Sequence, residues 1–534
     1  MPERLRLNEG NRKWWTLAAM CFALFMIMLD NTVVNVALPS IQKDLGASLS
    51  SLEWTVNAYT LTFAVLLVTG GRLGDIFGRR RVFVSGVILF AASSALIGLA
   101  PDQAWLVAGR AVQGTGAAFM MPGTLSIISN TFPPSERGRA IGTWAGVSAL
   151  ALALGPAVGG ALTEYVSWRA IFFLNLPVAI GAVVVTLFAV RESFDKTVDR
   201  RVDFAGIGTL SVGLSALVLA LVEGNSWGWG STEILALLVT AVVGLVGFVL
   251  VEVHGKAPMV QFEFFRSRSF LGANSVAFIV SFAMLAMFFF IAIYMQNVLH
   301  YSALEAGIRF LPSTVVIIIA APIAGRLADR IGSRIPMTVG LALAAVALYL
   351  QSTVTATSGY ADLLVPFMIM GLGMGLTMSP MSTAAMNAVS PDKAGVASGI
   401  LSMSRMVGGT FGVAAIGALF QSLMKDRLAT DLRGLHLTAA QHQNIVDGVG
   451  VGQSGDALRG LDPATAQQAG KAMKDAFVHG LSGGLKLSTA VAAAGAVLAF
   501  TLIEPHVKAR RAGAAEGQAA EPTAPLVEGE RAVA

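Results

Sequence analysis

The chain has 534 residues, is 55% hydrophobic and only 13% charged, and its mean hydropathy is +0.68. A soluble protein is usually about a quarter charged, so a soluble globular domain is excluded and a membrane protein is expected. The net charge is +5, whose meaning depends on where the basic residues sit, and the lone cysteine, Cys21, rules out an intrachain disulfide.

The N-terminus carries Arg4, Arg6, Arg12 and Lys13, then Trp14 and Trp15, then an apolar run to Pro39. That run is too long for a signal peptide and no small-residue cleavage site ends it, so it reads as a membrane span. A span needs about 20 apolar residues. By that measure there are fourteen, at roughly 14–38, 52–71, 82–100, 104–128, 139–163, 170–190, 204–222, 232–252, 271–295, 304–325, 336–353, 362–386, 397–420 and 485–503.

Between the second and third spans lies a glycine- and arginine-rich break, Gly70 to Val82. A paler copy, Ala324 to Pro336, joins the tenth and eleventh. Gly71, Arg72, Leu73, Asp75, Gly78 and Arg80 match Gly325, Arg326, Leu327, Asp329, Gly332 and Arg334. This internal duplication is a mark of secondary transporters.

An even number of spans puts both ends of the chain on one side. With those ends inside, the short outer loops are almost free of Lys and Arg, as the positive-inside rule requires. Both basic turns and Arg191–Arg201 then face the cytoplasm. The basic excess is thus topological, and nucleic acid is not an expected partner.

The predicted organisation is all-α and polytopic. It comprises a cytoplasmic N-terminus (1–13), a six-helix bundle (14–190), a linker with two inserted spans (191–270) and a second six-helix bundle (271–503). The second bundle carries a long outer loop (421–484) with amphipathic stretches at Ser422–Leu435 and Ala464–His479. A disordered tail (504–534) follows.

Asp30 is the acid that stands well inside an apolar span. An ionised carboxylate at mid-helix costs about 2.5–3.5 kcal/mol on insertion scales, so Asp30 is either a protonatable group or half of a fixed salt bridge. Asn31 and Asn35 extend its polar arc along the first span. Arg110 lies roughly 8 Å into the fourth span from outside, near the roughly 12 Å depth of Asp30, and Gln113 shares its face. Protonating Asp30 would break a pair with Arg110 and couple a proton to movement; a permanent bridge is the other reading.

Gly71, Gly74 and Gly78 permit a tight turn and close helix approach. Asp75 can cap a helix N-terminus or pair with Arg79, whereas Arg79, Arg80 and Arg81 also serve as topology anchors. Gly155 and Gly159, with Gly142 and Gly146 earlier on the same span, allow backbone contact between helices, and Pro156 can bend the helix. Glu305 precedes Arg309 by four residues and suits a local ion pair; Arg405, roughly 12 Å into the thirteenth span, has no evident acidic partner. Phe288 and Met295 stand out among the Phe and Met residues crowding the ninth span, which suit either a cavity accepting many shapes or lipid. The histidines show no metal-ligand spacing and no nucleotide-binding motif is complete, so neither a metal, a cofactor nor an enzymatic activity is expected.

These residues resemble the major facilitator superfamily, and within it the 14-span drug:proton antiporters of the EmrB/QacA type. The basic turn, with Gly71, Asp75, Gly78, Arg79 and Arg80, is similar to motif A. Leu29 to Pro39 is similar to the first-helix motif, and Gly109 to Gly114 to motif B. Gly155, Pro156, Gly159 and Gly160 are similar to the antiporter motif C. Ser167 to Arg169 and Asn175 to Pro177 also match.

The resemblance implies two six-helix bundles plus two inserted helices, with the first and fourth helices lining a central cavity. Motif A would be a latch that closes the cytoplasmic side. The resemblance also implies proton-coupled export of hydrophobic compounds, cations among them, by a monomer in the cytoplasmic membrane. Asp30 and Arg110 would couple the proton, and Asn31, Asn35, Asn57, Gln113, Phe288 and Met295 would line the cavity. Asn57 stands near the place where some relatives carry an acid. An exporter dedicated to one endogenous metabolite or antibiotic would look the same. A membrane sensor would need a folded signalling domain, which neither the tail nor the outer loop offers.

Overall fold

In a bilayer every backbone N–H and C=O must be paired within the chain, and a helix does this locally. The computed structural model describes residues 8–46, 49–195, 201–255, 258–435, 437–438, 441–443, 445–446 and 461–505. Nearly all of the predicted tail and the first seven residues lie outside the described residues.

Asn8 caps α1 (Glu9–Leu45), and Gly46, at φ +62°, ends it. α2 (Leu49–Phe77), α3 (Arg79–Gly98), α4 (Gln103–Thr131) and α5 (Pro134–Tyr165) follow. The sixth apolar run is split into α6 (Arg169–Phe173) and α7 (Asn175–Ala189). Pro177 has no N–H to return to Phe173, so the helix breaks just before Asn175. α8 (Phe204–Trp227) and α9 (Thr232–His254) form a hairpin, and α10 (Arg268–Asn297) opens the second half. α11 (Ala303–Arg309), α12 (Leu311–Ile331), α13 (Arg334–Gln351), α14 (Tyr360–Asn387), α15 (Ala394–Asp431) and α16 (Pro463–Leu502) follow.

Among the described residues there is no strand, and 13 helical segments are long and apolar enough to cross a membrane, α6–α7 and α11–α12 each counting once. α4 is as long but less apolar, because Arg110, Gln113 and its glycines dilute it; with it, each expected span has its helix. The two copies of the basic turn share a backbone feature: Gly78 and Gly332, at matching positions, take φ +111° and +87°. A side chain is strained there, so glycine is what lets each helix pair reverse tightly.

α15 and α16 run well past the expected spans. The amphipathic stretches 422–435 and 464–479 are largely the C-terminal end of α15 and the N-terminal end of α16 rather than separate surface elements. At 1.5 Å per residue each helix is roughly 57–60 Å long, about twice the hydrocarbon thickness.

In the first half α4 packs on α2 and α3, and α1 packs on α5 and α7. In the second, α10 packs on α15 and α16, and α14 on α12 and α13. The halves meet along two helix pairs, α5 with α12 and α2 with α15, and more lightly where α4 touches α15 and α5 touches α14. The α8–α9 hairpin lies on the flank: α8 rests on α2 and α15, and α9 rests mainly on α8. α9 exposes Val239, Val242, Val243 and Val246, an apolar face suited to lipid.

Candidate functional site: a buried acid and two crossed latches

Asp30, midway along α1, is fully buried. Its Oδ2 accepts from Arg110 at 2.5 Å, and its Oδ1 from Gln113 Nε2 at 2.9 Å and Asn175 Nδ2 at 3.1 Å. Arg110 and Gln113, one turn apart on α4, reach it together, and Arg110 also donates to Gln113 Oε1 at 2.7 Å and to Thr55 O at 3.0 Å. The Tyr59 ring lies 4.3 Å from the guanidinium carbon. Asn175, the first residue of α7, also donates to Ser94 Oγ at 2.9 Å. The carboxylate thus has three donors from two helices, and no face of it is open to a substrate in this state. A charge so desolvated is tolerable because it is paired and fully hydrogen-bonded. Tyr59 and Asn175 were missed as partners in the sequence.

The other expected cavity residues are more dispersed. Asn31 and Asn35 turn back onto their own helix, donating to Ile27 O and Asn31 O. Asn57 is half-buried on α2. Phe288 is half-buried and packs edge-on against Phe310, with ring centroids 5.0 Å apart. Met295 does not line a cavity: it is fully buried in the packed core of the second half, on the face of α10 that also buries Ile291 and Tyr294. Arg309 forms no ion pair with Glu305. It donates to the Glu305 backbone carbonyl at 3.1 Å and lies 3.6 Å over the Tyr301 ring, while the Glu305 carboxylate caps α11.

The basic turn reaches across to the other half. Asp75 is fully buried and accepts from Gly395 N at 3.0 Å and Val396 N at 2.8 Å, in the first turn of α15. Arg79 holds the same carboxylate at 2.6 Å and donates to Asp392 O. A methyl group on Gly71 would stand 2.3 Å from Gly395 O, so the two backbones touch. Gly78 seats the Glu192 carboxylate, which accepts from Arg80 N at 3.0 Å and lies 3.7 Å from the Arg81 Nε; Arg80 also donates to Val190 O. Gly74 is in ordinary contact with the Arg79 stem.

The second copy does the same in the opposite sense. Asp329 accepts from Gly138 N at 2.8 Å and Arg139 N at 3.0 Å, near the start of α5, and Gly325 meets Gly138 backbone to backbone. Thus α2 is latched to α15 and α12 to α5, each by an aspartate at a helix N-terminus, where the helix dipole favours negative charge. Further bonds close the same end: Arg137 to Asn387 Oδ1 at 2.5 Å, Ser379 to Gly138 O at 3.2 Å and Ser398 to Pro122 O at 2.8 Å. A methyl group at Gly138 would stand 2.3 Å from Gly325 O and 2.5 Å from Asp329 Oδ1. Gly138→Val is therefore expected to lower transport more than tenfold without loss of membrane insertion. Efflux at matched expression, with cysteine cross-linking of α5 to α12, measures both.

Gly155 and Gly159 bring α5 onto α1. A methyl group on Gly155 would strike Thr32 Oγ1, and one on Gly159 would come within 2.9 Å of Val33 Cα. Gly160 lies close to Val36, and Pro156 packs near Gly307. Gly142 and Gly146, lower on the same helix, pack on Ala321 and Ile318 of α12. One helix therefore runs from the Asp329 latch to the turn of α1 that follows Asp30.

The Major Facilitator Superfamily model matches residues 20–413. The chain is 37% identical over 415 residues to a tetracenomycin C resistance and export protein of Streptomyces glaucescens, covering 78% of this chain and 77% of that one. It is 32% identical over 539 residues to the multidrug transporter protein MdtP of Bacillus subtilis, covering 98% of each. Its fold is similar to that of the proton:xylose symporter XylE, with TM-score 0.57 and 11% identity over 93% of this chain and 97% of that one. The chain belongs to the Major Facilitator Superfamily of multi-pass membrane transporters.

Proposed function

We propose that the protein exports hydrophobic small molecules across the cytoplasmic membrane in exchange for protons, as a monomer with both ends of the chain in the cytoplasm. The observation that carries the reading is the link between Asp30 and the latches. A buried carboxylate held by Arg110, Gln113 and Asn175 sits on the helix that α5 grips at Thr32 and Val33, and α5 is the helix that Asp329 latches. A proton arriving at Asp30 removes the charge that holds Arg110, and the rearrangement of α1 passes along α5 to the cytoplasmic contacts. Each proton moving inward yields about 2.3 kcal/mol per 100 mV, enough to drive export against a gradient. The names of the two relatives, one a resistance and export protein and the other a multidrug transporter, support the direction. Nothing in this scheme requires a cofactor, nucleic acid or a chemical reaction.

The test is uptake by everted vesicles with and without an imposed proton gradient, using a panel of hydrophobic drugs. Gradient-dependent uptake that collapses with a protonophore is expected. Uptake indifferent to the gradient would overturn the coupling. Uptake of one compound from a broad panel would favour the dedicated exporter.

A further inference from the structure

Arg405, on α15, differs from the other arginines that reach into the helical bundle. Arg72, Arg79, Arg110, Arg137, Arg169 and Arg309 each donate to a carbonyl, amide or carboxylate. Arg405 has no such bond among the described residues, nor an ion pair or aromatic ring beneath it. The residue as a whole is half-buried.

Helix geometry shows which way this face of α15 is turned. One flank of α15 lies on α2 through Gly395 and Gly399, and the other lies on α10 through Ser404, Gly408 and Gly412. The face between them carries Ser398, which donates to Pro122 O of α4 in the other half. Arg405 is seven residues further on, so it lies on the same face within about 20° and roughly 10 Å further from the cytoplasmic latch. α4 runs antiparallel there, and seven residues outward from Pro122 is Thr115, half-buried and short. Arg405 therefore stands between the halves, above the Ser398–Pro122 contact and below the level of the Asp30–Arg110 pair.

We infer that Arg405 is the anchor for an anionic group of the transported molecule, so the central site takes amphipathic organic anions or zwitterions. A desolvated cation without a protein partner is costly, and a partnerless guanidinium between the halves offers a forked donor to a carboxylate or sulfonate. The acid at this end of the bundle cannot serve a cationic substrate in this state, because Asp30 is sealed by Arg110, Gln113 and Asn175. The assignment deepens the export reading by naming the substrate's charge, and its binding arm does not depend on proton coupling.

The experiment uses the full chain in detergent and in proteoliposomes with three matched probes: a dansyl fluorophore on a six-carbon chain ending in a carboxylate, in its primary amide, or in an amine. Wild type is expected to bind the carboxylate about tenfold or more tightly than the amide and amine, as a charge-assisted contact would give. Arg405→Gln should abolish that preference while the amide binds within about twofold of wild type, and Arg405→Lys should restore part of it. Monodisperse elution of each variant shows that it is folded, and the Lys variant supplies the comparison if the Gln variant is not. Failure of wild type to prefer the carboxylate, or an equal loss of amide and carboxylate binding in folded Arg405→Gln, overturns the inference. Carboxylate binding that depends on Arg405, together with transport indifferent to a proton gradient, leaves the anion site standing and sinks the coupling instead.

Discussion

Asp75→Asn is expected to cut efflux at least tenfold while the protein still inserts and folds. The carboxylate has four donors aimed at it: Gly395 N, Val396 N, and Arg79 Nε and a terminal nitrogen at 2.9 and 2.6 Å. An amide keeps one acceptor and turns an NH₂ toward groups that are themselves donors. It also removes the negative charge from the start of α15, where the dipole favours one. The loss comes to about 2–3 kcal/mol, which moves a two-state equilibrium by roughly 30- to 150-fold. The two backbone contacts to α15 exist only while these ends of the halves are together, whereas the Arg79 pair lies within the first half, so the mutation weakens the closed state and also the basic turn itself. Cysteine pairs across α2 and α15 should cross-link less readily in the variant. Asp329→Asn should act in the same direction but more weakly, because Asp329 is half-buried and has two backbone donors where Asp75 also has Arg79. Near wild-type efflux by Asp75→Asn at equal expression would mean that the contact is packing without a role in gating.

Much of this was legible in the sequence, for specific reasons. Span positions follow from apolar run lengths, which the bilayer enforces, and even α4 could be placed because its neighbours could. The Asp30–Arg110 pair could be anticipated because a lone acid in a membrane must find a cation at its own depth, and helix rise gives depth. For Asp75 the kind of partner, a helix N-terminus or Arg79, could be named but not which helix: it is the start of α15, about 320 residues away, and backbone N–H groups leave no trace in composition. Asn175 was hidden because nothing in its own span names the helix it faces, and Met295 was misplaced because methionine serves cavity and core alike. Two buried acids of the hairpin also escaped notice. Glu223 lies beyond the expected end of its span, inside a helix that continues to Trp227, and Glu252 folds back to accept from Val260 N at 3.0 Å. Charge near a helix end reads as solvated until tertiary packing covers it.

Asp30→Asn should abolish proton-driven export while leaving the binding of neutral hydrophobic compounds within a few-fold of wild type. The substitution keeps the shape of the side chain and removes the group that takes up a proton. In the wild type the carboxylate is acceptor to Arg110, Gln113 and Asn175 at once. Asparagine offers one acceptor oxygen, and its NH₂ must face either the Arg110 guanidinium or the pair Gln113 Nε2 and Asn175 Nδ2, donors in both cases. Arg110 then loses its counter-charge in a fully buried site, a loss of about 3–5 kcal/mol when one member of such a pair is removed. That is enough to hold α1 and α4 permanently in their proton-loaded arrangement, so a gradient has nothing left to act on. Binding of a neutral probe draws on apolar surface in the cavity rather than on this sealed carboxylate, and so it survives. Asp30→Glu keeps a carboxyl group and should retain gradient dependence at a reduced rate, which a merely structural residue would not require. The decisive measurement is drug uptake into everted vesicles across a range of imposed pH differences for wild type and both variants. A flat response for Asp30→Asn and a sloping one for Asp30→Glu is expected. An Asp30→Asn protein that still concentrates drug in proportion to the gradient would place the proton elsewhere and leave Asp30 and Arg110 as a fixed clasp between α1 and α4.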